Sequence, residues 1–176
     1  MTDSLSALLP DDIELLARKV LKFACDNELT VATAESCTGG LVSSILTDVE
    51  GLSHAFERGF STYTDEAKSE MLGVPADLIE RHGAVSAEVA RAMSEGALAN
   101  SHADAVVAVT GFAGGAGPDD EAGLCYFEAK RRDGKTAARE VHFGNAGRAA
   151  VREGACLASL ELLEEVLKSQ DFEALP

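Results

Sequence analysis

Apolar residues at Ile13, Leu16, Ala17, Val20, Leu21 and Ala24 recur at helical spacing, which predicts an amphipathic helix over 11–27. Thr30–Ala34 is a short β-branched run and reads as a buried strand. It breaks at Glu35-Ser36-Cys37-Thr38-Gly39-Gly40 into a second helix, Leu41–Asp48. Phe56–Tyr63 reads as another strand, after which Asp65 is expected to cap a short helix that stops at Gly73, before Val74-Pro75. Pro75–His82 adds one or two helical turns, opened by proline and closed by Gly83. Ser86 has the character of an N-cap for a longer helix reaching Asn100.

The clearest buried strand is Asp104–Thr110, which runs into a glycine-rich loop, Gly111–Gly123. Gly123–Lys130 and Thr136–Phe143 flank Asp133-Gly134, a strong hairpin signal, and a last helix runs over Ala146–Lys168. Two strand–loop–helix passages and one antiparallel hairpin predict an α/β fold, a three-layer α/β/α sandwich around a mixed β-sheet. Residues 1–10 read as a flexible leader and 11–170 as one domain, since no repeat or linker divides the chain.

Composition narrows the partners. The chain is 46% hydrophobic but only 5% aromatic, so its core must be built from Ala, Val, Leu and Ile. With 30 acidic against 15 basic residues, the formal charge of -15 argues against nucleic acid and against an anionic membrane surface. It also means that an anionic small ligand needs local Arg, Lys or backbone N–H groups to hold it. Cys25, Cys37, Cys125 and Cys156 are scattered, and His54, His82, His102 and His142 show no ligand spacing, so neither a metal nor a disulfide framework is expected. With no signal-peptide pattern and no membrane-length apolar run, a cytoplasmic location is expected. Apolar helices with few aromatics permit a homo-oligomer, a dimer or trimer.

Four segments carry candidate chemistry. A strand, a polar turn and two glycines at a helix start would gather the backbone N–H groups of Cys37, Thr38, Gly39 and Gly40 beside Ser36. Such an array suits an oxyanion or a phosphate, with Ser36 as nucleophile. On pattern alone, an ordinary N-cap at Ser36 or Thr38, with glycines that permit close packing, is favoured over the functional reading. In Tyr63-Thr64-Asp65-Glu66-Ala67-Lys68, a lysine in a first helical turn opposes the helix dipole, and the same field lowers its pKa towards that of a proton acceptor. The bland alternative is a core Tyr63 and a solvated Lys68 beside Glu66. Thr110-Gly111 opens a loop on the carboxyl edge of the sheet, where open α/β sheets bind ligands. Arg148 and Arg152, four apart at a helix start, share a face and could anchor a phosphate or merely pair with carboxylates.

Together these segments resemble the CinA C-terminal domain family, which includes the bacterial nicotinamide-nucleotide amidases called PncC. The similarity spans about residues 11–168 and is most specific at Ala34-Glu35-Ser36-Cys37-Thr38-Gly39-Gly40. It extends through Phe56–Phe60, Tyr63, Glu66-Ala67-Lys68, His82–Ser86 and Thr110-Gly111. The resemblance implies an α/β/α fold without a metal or other cofactor. It also implies hydrolysis of the carboxamide of nicotinamide mononucleotide to the acid plus ammonia, with Ser36 as nucleophile and Tyr63 and Lys68 handling protons.

Two loops depart from the family pattern. Phe112 stands where the family usually has Ile, with the proline displaced to Pro118, and Gly144-Asn145-Ala146-Gly147-Arg148 replaces Gly-Asp-Arg. They are the sequence support for an alternative, an inactive nucleotide-binding or regulatory module of the same fold. Cys37 is a rival nucleophile, and a purely structural interaction protein would leave Ser36, Tyr63 and Lys68 far apart.

Overall fold

The computed structural model describes residues 10–114, 117 and 120–169. The expected leader lies outside the described residues except for Pro10, as do positions 115, 116, 118 and 119 of the glycine-rich loop. The chain runs α1 (Asp11–Asp26), β1 (Val31–Glu35), α2 (Leu41–Thr47), a 3-10 turn at Ser53–Ala55, and β2 (Phe56–Ser61). It continues through α3 (Asp65–Leu72), α4 (Ala76–His82), α5 (Ala87–Ala99) and β3 (Ala105–Gly111), and ends with β4 (Leu124–Arg131), β5 (Thr136–His142) and α6 (Arg148–Lys168).

The five strands form one sheet in the order β2-β1-β3-β4-β5. β2, β1 and β3 are parallel, whereas β3–β4 and β4–β5 are antiparallel, so the sheet is mixed as expected. Period-two alternation divides β3 between two cores. Ala105, Val107 and Val109 face the core built by α1, α2 and α6, while Val106 and Ala108 face the core built by α3, α4 and α5. Helices on both faces complete the three-layer sandwich. Among the described residues, no helix is long and apolar enough to cross a membrane.

Topology places the candidate site. From β1 the chain passes through α2 on one face to the edge strand β2. It then returns across the other face through α3–α5 to β3, on the far side of β1. This reversal puts a topological switch point between β1 and β3, and a crevice opens outside their carboxyl ends. Ser36 follows β1 directly and donates its N–H to Val109 O at 3.0 Å, while Thr110 and Gly111 end β3.

Two local expectations are corrected. The cap of α3 is Thr64, whose hydroxyl accepts from the Ala67 N–H at 3.1 Å, and Asp65 is the first helical residue. A cap side chain reaches the N–H two or three positions on, which Thr64 can do from its extended backbone. Likewise β2 stops at Ser61, because its partner β1 ends opposite at Glu35, so Tyr63 lies beyond the strand.

Candidate active site

Ser36 is set by a turn that only glycine completes at this tightness. Gly39 and Gly40 both adopt left-handed backbone, with φ of +61° and +92°, and turn the chain from β1 into α2. Neither Ser36 nor Thr38 caps α2. The first helical amides are taken instead by the Glu35 carboxylate, which accepts from Gly40 N at 3.0 Å, Val42 N at 3.1 Å and Ser43 N at 2.8 Å. This narrows the expected N–H array. Gly40 N–H is committed to Glu35, Gly39 N–H to Ser36 O and Leu41 N–H to Thr38 O. The amides of Cys37 and Thr38 are left, and both lie near enough to the Cys37 sulfur to favour its thiolate.

Lys68 decides between the two readings of its segment. Its position in α3 is one turn inside the cap, and a helical side chain leans back towards the N-terminus, so the ammonium reaches beneath the start of the helix. There it is 1% exposed, with Tyr63 O at 3.5 Å and Asp65 Oδ1 at 3.7 Å, both long contacts for an amine removed from water. Burial therefore lowers its pKa, against the opposing pull of Asp65, Cys37 and Tyr63. Lys68 is not a solvated lysine. Tyr63 is not a core residue either, since it is 61% exposed.

Ser36, Tyr63 and Lys68 line a single cavity of about 240 Å³, together with Thr110, Gly111 and Arg148. Ser36 is itself 8% exposed. Their convergence removes the premise of a purely structural module, in which the three would be far apart. Ala113, Gly114 and Arg148 also border a larger cavity of about 880 Å³, reached past Gly147 and Val151 at the start of α6.

The two arginines part company. Arg148 lies between the two cavities, whereas Arg152 runs beneath the nucleophile turn and donates to Thr38 O at 2.6 Å. Its Nε is buried without a partner. Neither arginine is paired with a carboxylate among the described residues, so the ion-pair alternative does not hold for them.

Cys37 borders the small cavity, yet it is buried in the core and its thiol meets that of Cys125. The hydrogen bond from Cys125 lowers the Cys37 pKa, and the same contact raises that of Cys125. Among the described residues, no three His, Cys, Asp or Glu side chains converge as a metal site would require. Sequence reasoning gave no role to Glu35. The available signal was an acidic residue closing a run that reads as buried strand.

Comparison with known proteins places the chain in a family. The chain is 48% identical over 123 residues to a CinA-like protein of Akkermansia muciniphila, covering 69% of this chain and 30% of that protein. It is 42% identical over 165 residues to a CinA-like protein of Mycobacterium sp. strain MCS, covering 93% and 38%. The chain thus spans about a third of the length of the curated relatives it matches. The crystal structure of the competence/damage inducible protein CihA from Agrobacterium tumefaciens superposes with a TM-score of 0.87 at 41% identity, covering 90% of this chain and 97% of that one. The family model described as the CinA C-terminal domain matches residues 13–167, and with these relatives it establishes that the chain belongs to the CinA C-terminal domain family.

Proposed function

We propose that this domain is an amidohydrolase that deamidates nicotinamide mononucleotide, with Ser36 as nucleophile. The observation that supports it best is the meeting of Ser36, Tyr63 and Lys68 in one cavity at the β1/β3 switch point. Burial lowers the Lys68 pKa and so favours the neutral amine, the form that accepts the Ser36 hydroxyl proton, directly or through Tyr63. Ser36 Oγ then attacks the carboxamide carbon, and negative charge gathers on the carboxamide oxygen. The Cys37 and Thr38 amides are the donors available for that oxyanion, and such donors are worth about 3 kcal/mol each in a transition state. Collapse of the intermediate expels ammonia, whose nitrogen takes a proton from Tyr63 as Tyr63 recovers one from the Lys68 ammonium, which returns the lysine to its neutral form. Water then hydrolyses the acyl-enzyme to nicotinic acid mononucleotide and restores Ser36.

The cavity sizes suit a substrate in two parts. The smaller one is below the range of roughly 300–1,000 Å³ typical of ligand pockets, so it fits the nicotinamide ring better than a whole nucleotide. Ribose and phosphate would extend past Arg148 into the larger one. Arg148 supplies the positive charge that a chain of formal charge -15 needs to hold a phosphate. Arg152, beneath the turn, acts through Thr38 and not on the ligand.

The test is ammonia release from nicotinamide mononucleotide by the purified chain beside Ser36→Ala. Release that disappears in the variant supports the amidase. Calorimetric binding of the mononucleotide without release by the folded wild-type chain would favour the inactive nucleotide-binding module instead.

A further inference from the structure

Glu35 is 1% exposed, and among the described residues its carboxylate is hydrogen-bonded by β1 and the start of α2, the segments on either side of Ser36. Oε2 accepts from Gly40 N at 3.0 Å and Val42 N at 3.1 Å. Oε1 accepts from Ser43 N at 2.8 Å and Ser43 Oγ at 2.7 Å, with Thr33 Oγ1 at 3.3 Å. A hydroxyl has one proton. Once Ser43 donates to Glu35, the 2.6 Å contact between Thr33 Oγ1 and Ser43 Oγ is a bond donated by Thr33. The network therefore ties β1 to the first turn of α2 across the loop that carries Ser36.

The neighbouring strand leaves room for it. A Cβ on Gly59 of β2 would lie 2.3 Å from Ser43 Oγ and 3.0 Å from Thr33 Oγ1, so any side chain there would displace the network. A buried carboxylate with no cation among these contacts has a high desolvation cost. Four short charge-assisted hydrogen bonds offset it, and they fix the chain on both sides of Ser36 within a few ångströms.

We infer that Glu35 is the positioning residue of the nucleophile turn: its carboxylate clamps Gly40, Val42 and Ser43, which leaves only the Cys37 and Thr38 amides for the reacting oxygen and fixes Ser36 beside them. The inference rests on the Ser36 reading. It also accounts for why the helix start does not serve as the phosphate site, since Glu35 already occupies its anion-binding amides. The glutamate touches neither substrate nor reacting atoms, and it acts through the backbone.

A glutamine is isosteric but fails this role. With its NH2 at the Oε2 position a glutamine meets the Gly40 and Val42 N–H donors, and with it at Oε1 it meets the Ser43 N–H, so in either orientation at least one backbone donor loses its acceptor. A one-ångström misplacement of a reacting group costs on the order of 100-fold in rate. Glu35→Gln should therefore lower kcat about 100-fold with KM changed by less than about threefold. Ser43→Ala, which removes one charge-assisted bond and fills no space, should lower kcat about tenfold and keeps the test available if Glu35→Gln does not fold.

The experiment measures two rates on each folded variant. One is turnover of nicotinamide mononucleotide, and the other is covalent labelling of Ser36 by a fluorophosphonate, which needs an activated serine but no particular amide. Parallel falls in kcat and labelling rate are expected. Slower labelling in the variants when the wild-type chain releases no ammonia would sustain the role of Glu35 and reject the mononucleotide as substrate. Variants that melt earlier but label and turn over at the wild-type rate would overturn the inference, since Glu35 would then be structural only.

Discussion

At the scale of single residues, Lys68 is where stability and function oppose one another. It is an amine removed from water with two long polar contacts, and its burial is unfavourable to folding in the charged form. Its pKa in the folded protein is lowered from 10.5, so the unfolded chain holds the proton more tightly. Stability attributable to Lys68 is therefore lowest below its folded pKa, and it rises as pH climbs from that value towards 10.5. Lys68→Met should raise the stability at neutral pH by about 1 kcal/mol or more, read from thermal melting, while abolishing turnover. A variant that is less stable would mean that the ammonium is better satisfied than its contacts indicate. For activity the sign runs the same way, because the neutral amine is the base. Turnover should rise with pH along a limb centred below the ordinary lysine value, and Lys68→Arg should lose both the limb and some 100-fold or more in rate. A limb that persists in the arginine variant would assign the proton acceptor elsewhere.

Much of the residue-scale site was legible in the chain, and the reasons for the remainder are physical. A lysine placed against a helix dipole broke a local rule, and the break marked a buried amine. Glycines at Gly39 and Gly40 announced the turn. Glu35 was not legible as a partner, because a single acidic residue at a strand end does not reveal which amides it meets. Arg152 and Arg148 share a helical face in the sequence, but the turn at Thr38 captures one and leaves the other at the cavities. Spacing fixes the face of a helix, and only packing decides what each side chain on it reaches.

Among the elements, the strands and helices came through nearly as their periodicity predicts, because each strand is short, apolar and bounded by strong turn signals. The differences fall at ends, where partners decide: β2 stops when β1 stops, and Thr64 displaces Asp65 as the cap of α3. The contact between α3 and α5 bears on the site because α3 carries Lys68. Gly96 on α5 faces the end of α3 so closely that a Cβ would lie 1.9 Å from Leu72 O, which is backbone and cannot turn aside. Gly96→Ala should destabilise the domain by about 1–3 kcal/mol in urea unfolding. It should also lower turnover beyond the unfolded fraction, because α3 carries Lys68 and would shift with Leu72. Wild-type turnover by the folded variant would show that α3 absorbs the displacement without moving its first turn.

For the molecule as a whole, charge and topology act together. The switch point sets where a ligand can sit, and an overall charge of -15 sets what reaches it. Asp65 borders the small cavity and Asp120 and Glu121 the large one, so the approach is acidic apart from Arg148. An anionic mononucleotide should therefore be taken up faster as salt screens the field, with kcat/KM rising between low and physiological ionic strength. Arg148→Ala should raise KM about tenfold or more with a smaller effect on kcat. A fall of kcat/KM with salt in the wild-type chain would mean that local attraction at Arg148 outweighs the global field.

The most direct test of the account is capture of the covalent intermediate. Acid quenching during turnover of nicotinamide mononucleotide, followed by peptide mapping, reads which side chain holds the acyl group. The account predicts a nicotinoyl-nucleotide ester on Ser36, absent from Ser36→Ala together with ammonia release. A thioester on Cys37, or undiminished ammonia release by Ser36→Ala, would contradict it.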